Sequence, residues 1–124
     1  VECRPYSLDR EPADVATFDV GVLPEPDDAW TRGKGAFKAL VYMATGLPVV
    51  ASRVGVNPDV ILDGVTGYCV DDTAGWVAAL ERLAAAQDLR ERLGTAGRRR
   101  AEERFSLRAR APVFAEVLRR GARA

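Results

Sequence analysis

The sequence predicts an α/β domain, with an open parallel sheet of about four strands, helices between them and a helical C-terminal tail. Three observations carry this. Residues 33–52, GKGAFKALVYMATGLPVVAS, read as a glycine-flanked helix start, an amphipathic helix, a glycine stop and a short apolar strand. The strand runs DVGVL (19–23), VVA (49–51) and GYCV (67–70) lack polar alternation, as suits parallel strands covered on both faces and joined by helical crossovers. From Thr73 onward the apolar residues recur at helical spacing.

At 124 residues the chain has room for one domain, and a hydrophobic content of 48% supports a packed core. The chain is expected to divide into an α/β part, 1–86, and a helical tail, 87–124. Net charge is zero but unevenly spread: residues 1–89 hold 7 basic and 14 acidic side chains, residues 90–124 hold 11 and 4. Glu91, Glu102, Glu103 and Glu116 interleave with the tail's arginines, which marks a solvated, salt-bridged helix face and argues against nucleic acid as a partner. Histidine is absent, which excludes His-based acid/base catalysis, Ser-His triads and His-ligated zinc within these residues. Cys3 and Cys69 fall in apparent strands without metal-ligand spacing and read as buried, reduced thiols. The sequence shows neither a signal peptide nor a transmembrane run, and the expected location is cytoplasmic, compatible with peripheral contact at the inner membrane face.

In order, residues 1–6 read as a short strand entered without a preceding helix, so the sequence is expected to begin inside a larger architecture. Glu11 and Pro12 suit the first turn of a short helix that carries Val15 and Phe18 inward. A strand over 19–23 ends at Pro24. The polar loop 25–31 then lies at a strand's C-terminal end, where open parallel sheets place ligands. Within it, Trp30 is either a stacking platform for a nucleoside or an anchor pinning the loop. In the central helix Phe37, Leu40, Val41 and Ala44 share a face, Gly46 sits where a left-handed cap is wanted, and Pro48 prevents continuation. Asn57 and Pro58 read as an N-cap and first-turn pair, and Asp71 and Asp72 as caps of the helix that starts at Thr73. In that helix Trp76, Val77, Leu80 and Leu83 share a face. In the last helix, entered at Ser106, Leu107, Ala111, Phe114 and Leu118 form a stripe that Pro112 should disturb.

The chemistry concentrates at Gly33, Lys34, Gly35 and Ala36. Glycines admit close approach to the backbone, the first helical amides have no internal partners, and Lys34 and Lys38 add full charges to the helix dipole. A phosphate group is the natural guest.

The order DVGVLP, GKGAFKALVYMATGLPVVAS, RVGVNPDVILDGVTGYCV and a tail containing EERFSL resembles the C-terminal part of retaining glycosyltransferases of the GT-B fold, family 4 or group 1. The resemblance spans nearly the whole chain. It implies a partial Rossmann-like domain that binds a nucleotide-sugar donor by its diphosphate. The implied contacts are Lys34, Gly33, Gly35, Ala36 and Lys38, with Val41 and Trp30 as nucleoside contacts and no metal or other cofactor. The family usually carries two glutamates, separated by seven residues, across this helix start; Gly33 and Val41 occupy those positions here. The resemblance further implies retention at the anomeric carbon and a partner N-terminal acceptor domain, so that the fragment alone is expected to be inactive. The alternative is a non-catalytic, degenerate Rossmann-like module that assembles, or forms a homo-oligomer, through an exposed sheet edge.

Overall fold

The computed structural model describes Cys3 and residues 5–122. Among these residues the sheet has three parallel strands in the order β1 (Gly21–Leu23), β2 (Val49–Ser52), β3 (Gly67–Val70). Gly21 pairs with Val49, and Val49 in turn with Gly67. The fourth strand expected over residues 1–6 is not formed by Cys3, Pro5 or Tyr6; Val1, Glu2 and Arg4 lie outside the described residues. Pro5 has no N–H to give to a ladder. Cys3 is accordingly exposed, in contrast to the buried thiol expected, whereas Cys69 in β3 is buried.

The elements before and between the strands are short. Helix α1 (Glu11–Val15) precedes β1, and α2 (Ala29–Gly33) and α3 (Phe37–Thr45) connect β1 to β2. Helix α4 (Asn57–Val60) lies between β2 and β3. Beyond the sheet come α5 (Thr73–Ala85), α6 (Gln87–Arg100), a π-helical turn (Ala101–Phe105) and α7 (Leu107–Ala122).

Two cores form on the two faces of the sheet because side chains alternate along each strand. On one face Val49, Ala51 and Cys69 meet Ala39 and Met43 of α3, Ile61 and Ala101. On the other, Val50 and Val70 meet Ala79 and Leu83 of α5 and Leu93 of α6. The first half of the tail is therefore integral to the core.

Helix α3 ends as its sequence demands. Gly46 takes the left-handed conformation (φ 84°), and its N–H and that of Leu47 return to the carbonyls of Met43 and Tyr42. The inward face of α3 differs from the expected one. Ala36, Ala39 and Met43 are buried, while Phe37 is 75% exposed. Small alanines let the helix lie close on the sheet, and the larger Phe37 and Val41 face away from it toward the N-terminal segment. Similarly, Phe18 stays exposed although Val15 is buried, and α5 turns Ala79 and Leu83 inward while Val77 remains exposed. Helix α7 runs through Pro112 without a break and buries none of its residues.

Candidate functional site

The C-terminal ends of β1 and β2 open into two loops that converge on the region between α2 and α3. Helix α2 is capped by Asp28, whose carboxylate accepts from the Thr31 N–H at 2.8 Å. Asp27 binds Arg32 through both oxygens, at 2.6 and 2.9 Å. Both carboxyls are held below their usual range, Asp27 by the Arg32 hydrogen bonds and Asp28 by the Thr31 backbone N–H. The two acids of the loop thus serve its own structure.

The helix start lies later than the sequence suggested. Gly33 closes α2, Lys34 is its extended C-cap, and α3 begins at Phe37 with Ala36 as N-cap. Lys34 therefore precedes α3, and only Lys38 belongs to the helix. No side chain caps α3, in contrast to α2 and to α5, where Asp72 accepts from the Gly75 N–H. The amides of its first turn are thus left for a ligand or water. A Cβ placed on Gly33 or Gly35 would meet no other atom within 4 Å among the described residues, so the backbone here is open to approach.

Three residues given no part in the site by sequence, Glu25, Ser52 and Asn57, organise it. Glu25, just beyond β1, accepts from Lys34 Nζ at 2.8 Å and from Asn57 Nδ2 at 3.1 Å, and its backbone N–H donates to Ser52 Oγ at 3.0 Å. Asn57 also donates to the Ser52 carbonyl at 3.0 Å. The Glu25 side chain is 11% exposed. Burial opposes its charge, but the hydrogen bonds from Lys34 and Asn57 and the nearby charges of Lys34 and Lys38 outweigh it, and its carboxyl sits below the usual range. Lys34 is thereby fixed by one of its three donors, which leaves two free to point outward.

Asn57 is thus not the expected cap of α4. That helix has Val56 at its N-cap and Pro58 in its first turn, and the Asn57 side chain, 2% exposed, is turned toward Glu25. Asp71, expected to cap α5 together with Asp72, instead pairs with Arg53 at 3.2 Å, and Arg53 also donates to the Cys69 carbonyl, which fastens the end of β2 to β3.

Beside the α3 start lies a groove of about 660 Å³ between the N-terminal segment, α1 and α3. Phe37, Lys38, Val41 and Tyr42 line one side and Glu11 and Asp14 the other. Lys38 connects this groove to the Lys34–Glu25 cluster, since its charge acts on Glu25. The structure thus brings Lys34, Lys38 and Val41 into one region. Trp30 is 80% exposed on α2, neither pinning its loop nor lining the groove.

Comparison with known proteins gives the family and the fold. The profile of the family described as glycosyl transferases group 1 fits residues 9–86, more than half of the chain. A GDP-mannose-dependent alpha-(1-6)-phosphatidylinositol monomannoside mannosyltransferase of Mycolicibacterium smegmatis is 38% identical over 129 residues, covering 93% of this chain and 31% of that protein. Spore coat protein SA of Bacillus subtilis is 42% identical over 66 residues, covering 51% of this chain and 18% of that protein. Among solved structures, sucrose-phosphate synthase from Thermosynechococcus elongatus aligns with a TM-score of 0.72 at 29% identity, covering 82% of this chain and 25% of that one. The C-terminal domain of a group 1 family glycosyl transferase from Francisella tularensis shares the fold, with a TM-score of 0.69 at 20% identity over 86% of this chain and 53% of that one. The chain spans less than a third of the length of the two curated relatives named here.

Proposed function

Since the chain belongs to the glycosyl transferases group 1 family, we propose that it forms the donor-binding side of a sugar-transfer site, holding a nucleotide sugar by its diphosphate. The observation that carries this reading is the start of α3: an uncapped helical turn at the C-terminal edge of a parallel sheet, with open space above Gly33 and Gly35 and two lysines beside it. Such a turn offers oriented N–H groups and a positive dipole end, to which Lys38 adds its charge and Lys34, paired with Glu25, adds its remaining N–H donors. In the transfer step, negative charge accumulates on the leaving diphosphate as the bond to the anomeric carbon breaks. Fixed donors aimed at that charge stabilise it with little reorganisation.

In this reading Gly33, Gly35 and Ala36 contribute backbone, Lys34 and Lys38 contribute charge, and Val41 lines the nucleoside end. Gly33 and Val41 supply no carboxylate at the positions where the resemblance implies glutamates. The groups facing the acceptor come from a separate N-terminal domain, so the chain by itself does not turn over; sugar transfer by the 124-residue chain unaided would overturn that part. Among the described residues no helix is long and apolar enough to cross a membrane.

The test is calorimetric titration of the chain with UDP, GDP and ADP, repeated with Lys34→Ala. Binding of at least one nucleotide, weakened about tenfold or more in the variant as expected for loss of a charge-assisted hydrogen bond, supports the reading. Equal affinities in both proteins refute it. The absence of side-chain acceptors at Gly33 and Val41 favours a second reading, a non-catalytic assembly module, which absence of any nucleotide binding would support.

A further inference from the structure

The groove beside α3 has the size of a small-ligand site and a mixed lining, aromatic on its walls and acidic along one rim. Tyr6, Phe18, Phe37 and Tyr42 supply aromatic side chains to the lining, the residue type on which a planar base stacks. Glu11 and Asp14 stand three residues apart on α1, one helical turn, so both carboxylates lie on the groove side. Glu11 is half-buried, and its carboxylate makes no hydrogen bond or ion pair among the described residues. The Tyr42 hydroxyl is pushed up by burial and by the charge of Glu11, which brings that carboxylate within electrostatic reach of the ring.

From this lining we infer that the groove selects guanine, with the Glu11 carboxylate accepting from the base edge. The inference rests on the proposal that the α3 start holds a nucleoside diphosphate. An ionised carboxylate is acceptor-only, with two oxygens side by side. Guanine presents two adjacent donors, N1–H and the exocyclic N2 amino group, which match those oxygens. Adenine sets its amino group next to the N1 acceptor, and uracil flanks its single N3–H with two carbonyls. Both therefore bring a lone pair against the carboxylate, and a site built to pair polar groups rejects partners that leave them unmatched.

The experiment is titration of the full chain with GDP, IDP, UDP and ADP, and of Glu11→Gln and Lys34→Ala with GDP and UDP. Hypoxanthine in IDP retains N1–H but lacks the N2 amino group, so the comparison with GDP reads the second hydrogen bond without altering the protein. GDP is expected to bind about tenfold or more tightly than IDP, UDP or ADP. Glu11→Gln should lower GDP affinity about tenfold while leaving UDP nearly unchanged. Lys34→Ala should weaken both. UDP or ADP binding as tightly as GDP, GDP and IDP binding alike, or an equal loss of GDP and UDP in Glu11→Gln, overturns the guanine assignment. If Lys34→Ala still weakens the nucleotides in that case, the diphosphate reading stands by itself. Failure of all four nucleotides to bind overturns both.

Discussion

Replacing Asn57 by alanine tests whether the hydrogen-bonded cluster at the sheet edge holds the loops together. The substitution removes two bonds at once: one to the Glu25 carboxylate at 3.1 Å and one to the Ser52 carbonyl at 3.0 Å. The first involves a charged acceptor and contributes about 1.5–3 kcal/mol, the second about 0.5–1.5 kcal/mol. Since Asn57 is 2% exposed, water does not simply take its place, and the expected loss is about 2–4.5 kcal/mol at neutral pH. The loss should also depend on pH in a defined direction. The Glu25 carboxyl is held below its usual value, so its stabilising contribution is fully present above the unfolded-state value and disappears as pH falls through the folded-state value. Asn57→Ala removes part of that contribution, and the gap between wild type and variant should narrow on acidification. Urea denaturation at neutral and acidic pH measures both quantities. An unchanged midpoint at neutral pH, or a gap that stays constant through the Glu titration range, would refute the reasoning.

Two further outcomes follow from packing and burial. A Cβ on Gly94 would lie 1.9 Å from the Gly46 carbonyl oxygen, so Gly94→Ala forces α6 away from the end of α3; a loss of about 1–3 kcal/mol is expected by denaturation. Gly121→Ala meets no neighbouring atom and serves as the control, with a change within about 0.5 kcal/mol. For the thiols, Cys3 is exposed, whereas burial pushes the Cys69 thiol up to about 11. A thiol reagent at neutral pH should therefore label Cys3 at once and Cys69 only on unfolding, and rapid double labelling of the native chain would contradict the packing of β3.

Much of the architecture was legible because it is encoded locally. Gly46 and Pro48 mark the end of α3 through backbone geometry alone, and the non-alternating runs of β2 and β3 are covered on both faces as read, whereas β1 leaves Val22 exposed. Asp72 likewise caps α5 as read. The rotational setting of α3 was only partly legible: Leu40 packs against the core as read, but hydrophobic spacing also ranks Phe37 above alanine, whereas close packing on a sheet favours Ala36 and Ala39. At the site, the sequence located Lys34 and Lys38 but gave Glu25 and Ser52 no role and Asn57 the role of a helix cap. Glu25 meets Lys34 across 9 positions and Asn57 across 32, so no local motif records the cluster. Asn57 even carried a contrary local signal, since Asn-Pro reads as a helix start; pairing with a buried carboxylate overrode it.

Helix α7 gives the molecule two levels of order. It spans 16 residues, holds Pro112 in its interior, and leaves Leu107 84% exposed along with Phe114 and Leu118. A helix of that length in water is marginal without a packed face, and the missing N–H of the proline removes one rung. Its opening therefore costs little of the free energy that holds the sheet, α3 and α6 together. Backbone amides of α7 should exchange through local fraying, while those of β2 exchange only when the whole chain unfolds. A spectroscopic probe of total helix content would then report two processes where a probe in the core reports one, and a single unfolding free energy would describe only the part that ends at the π-helical turn.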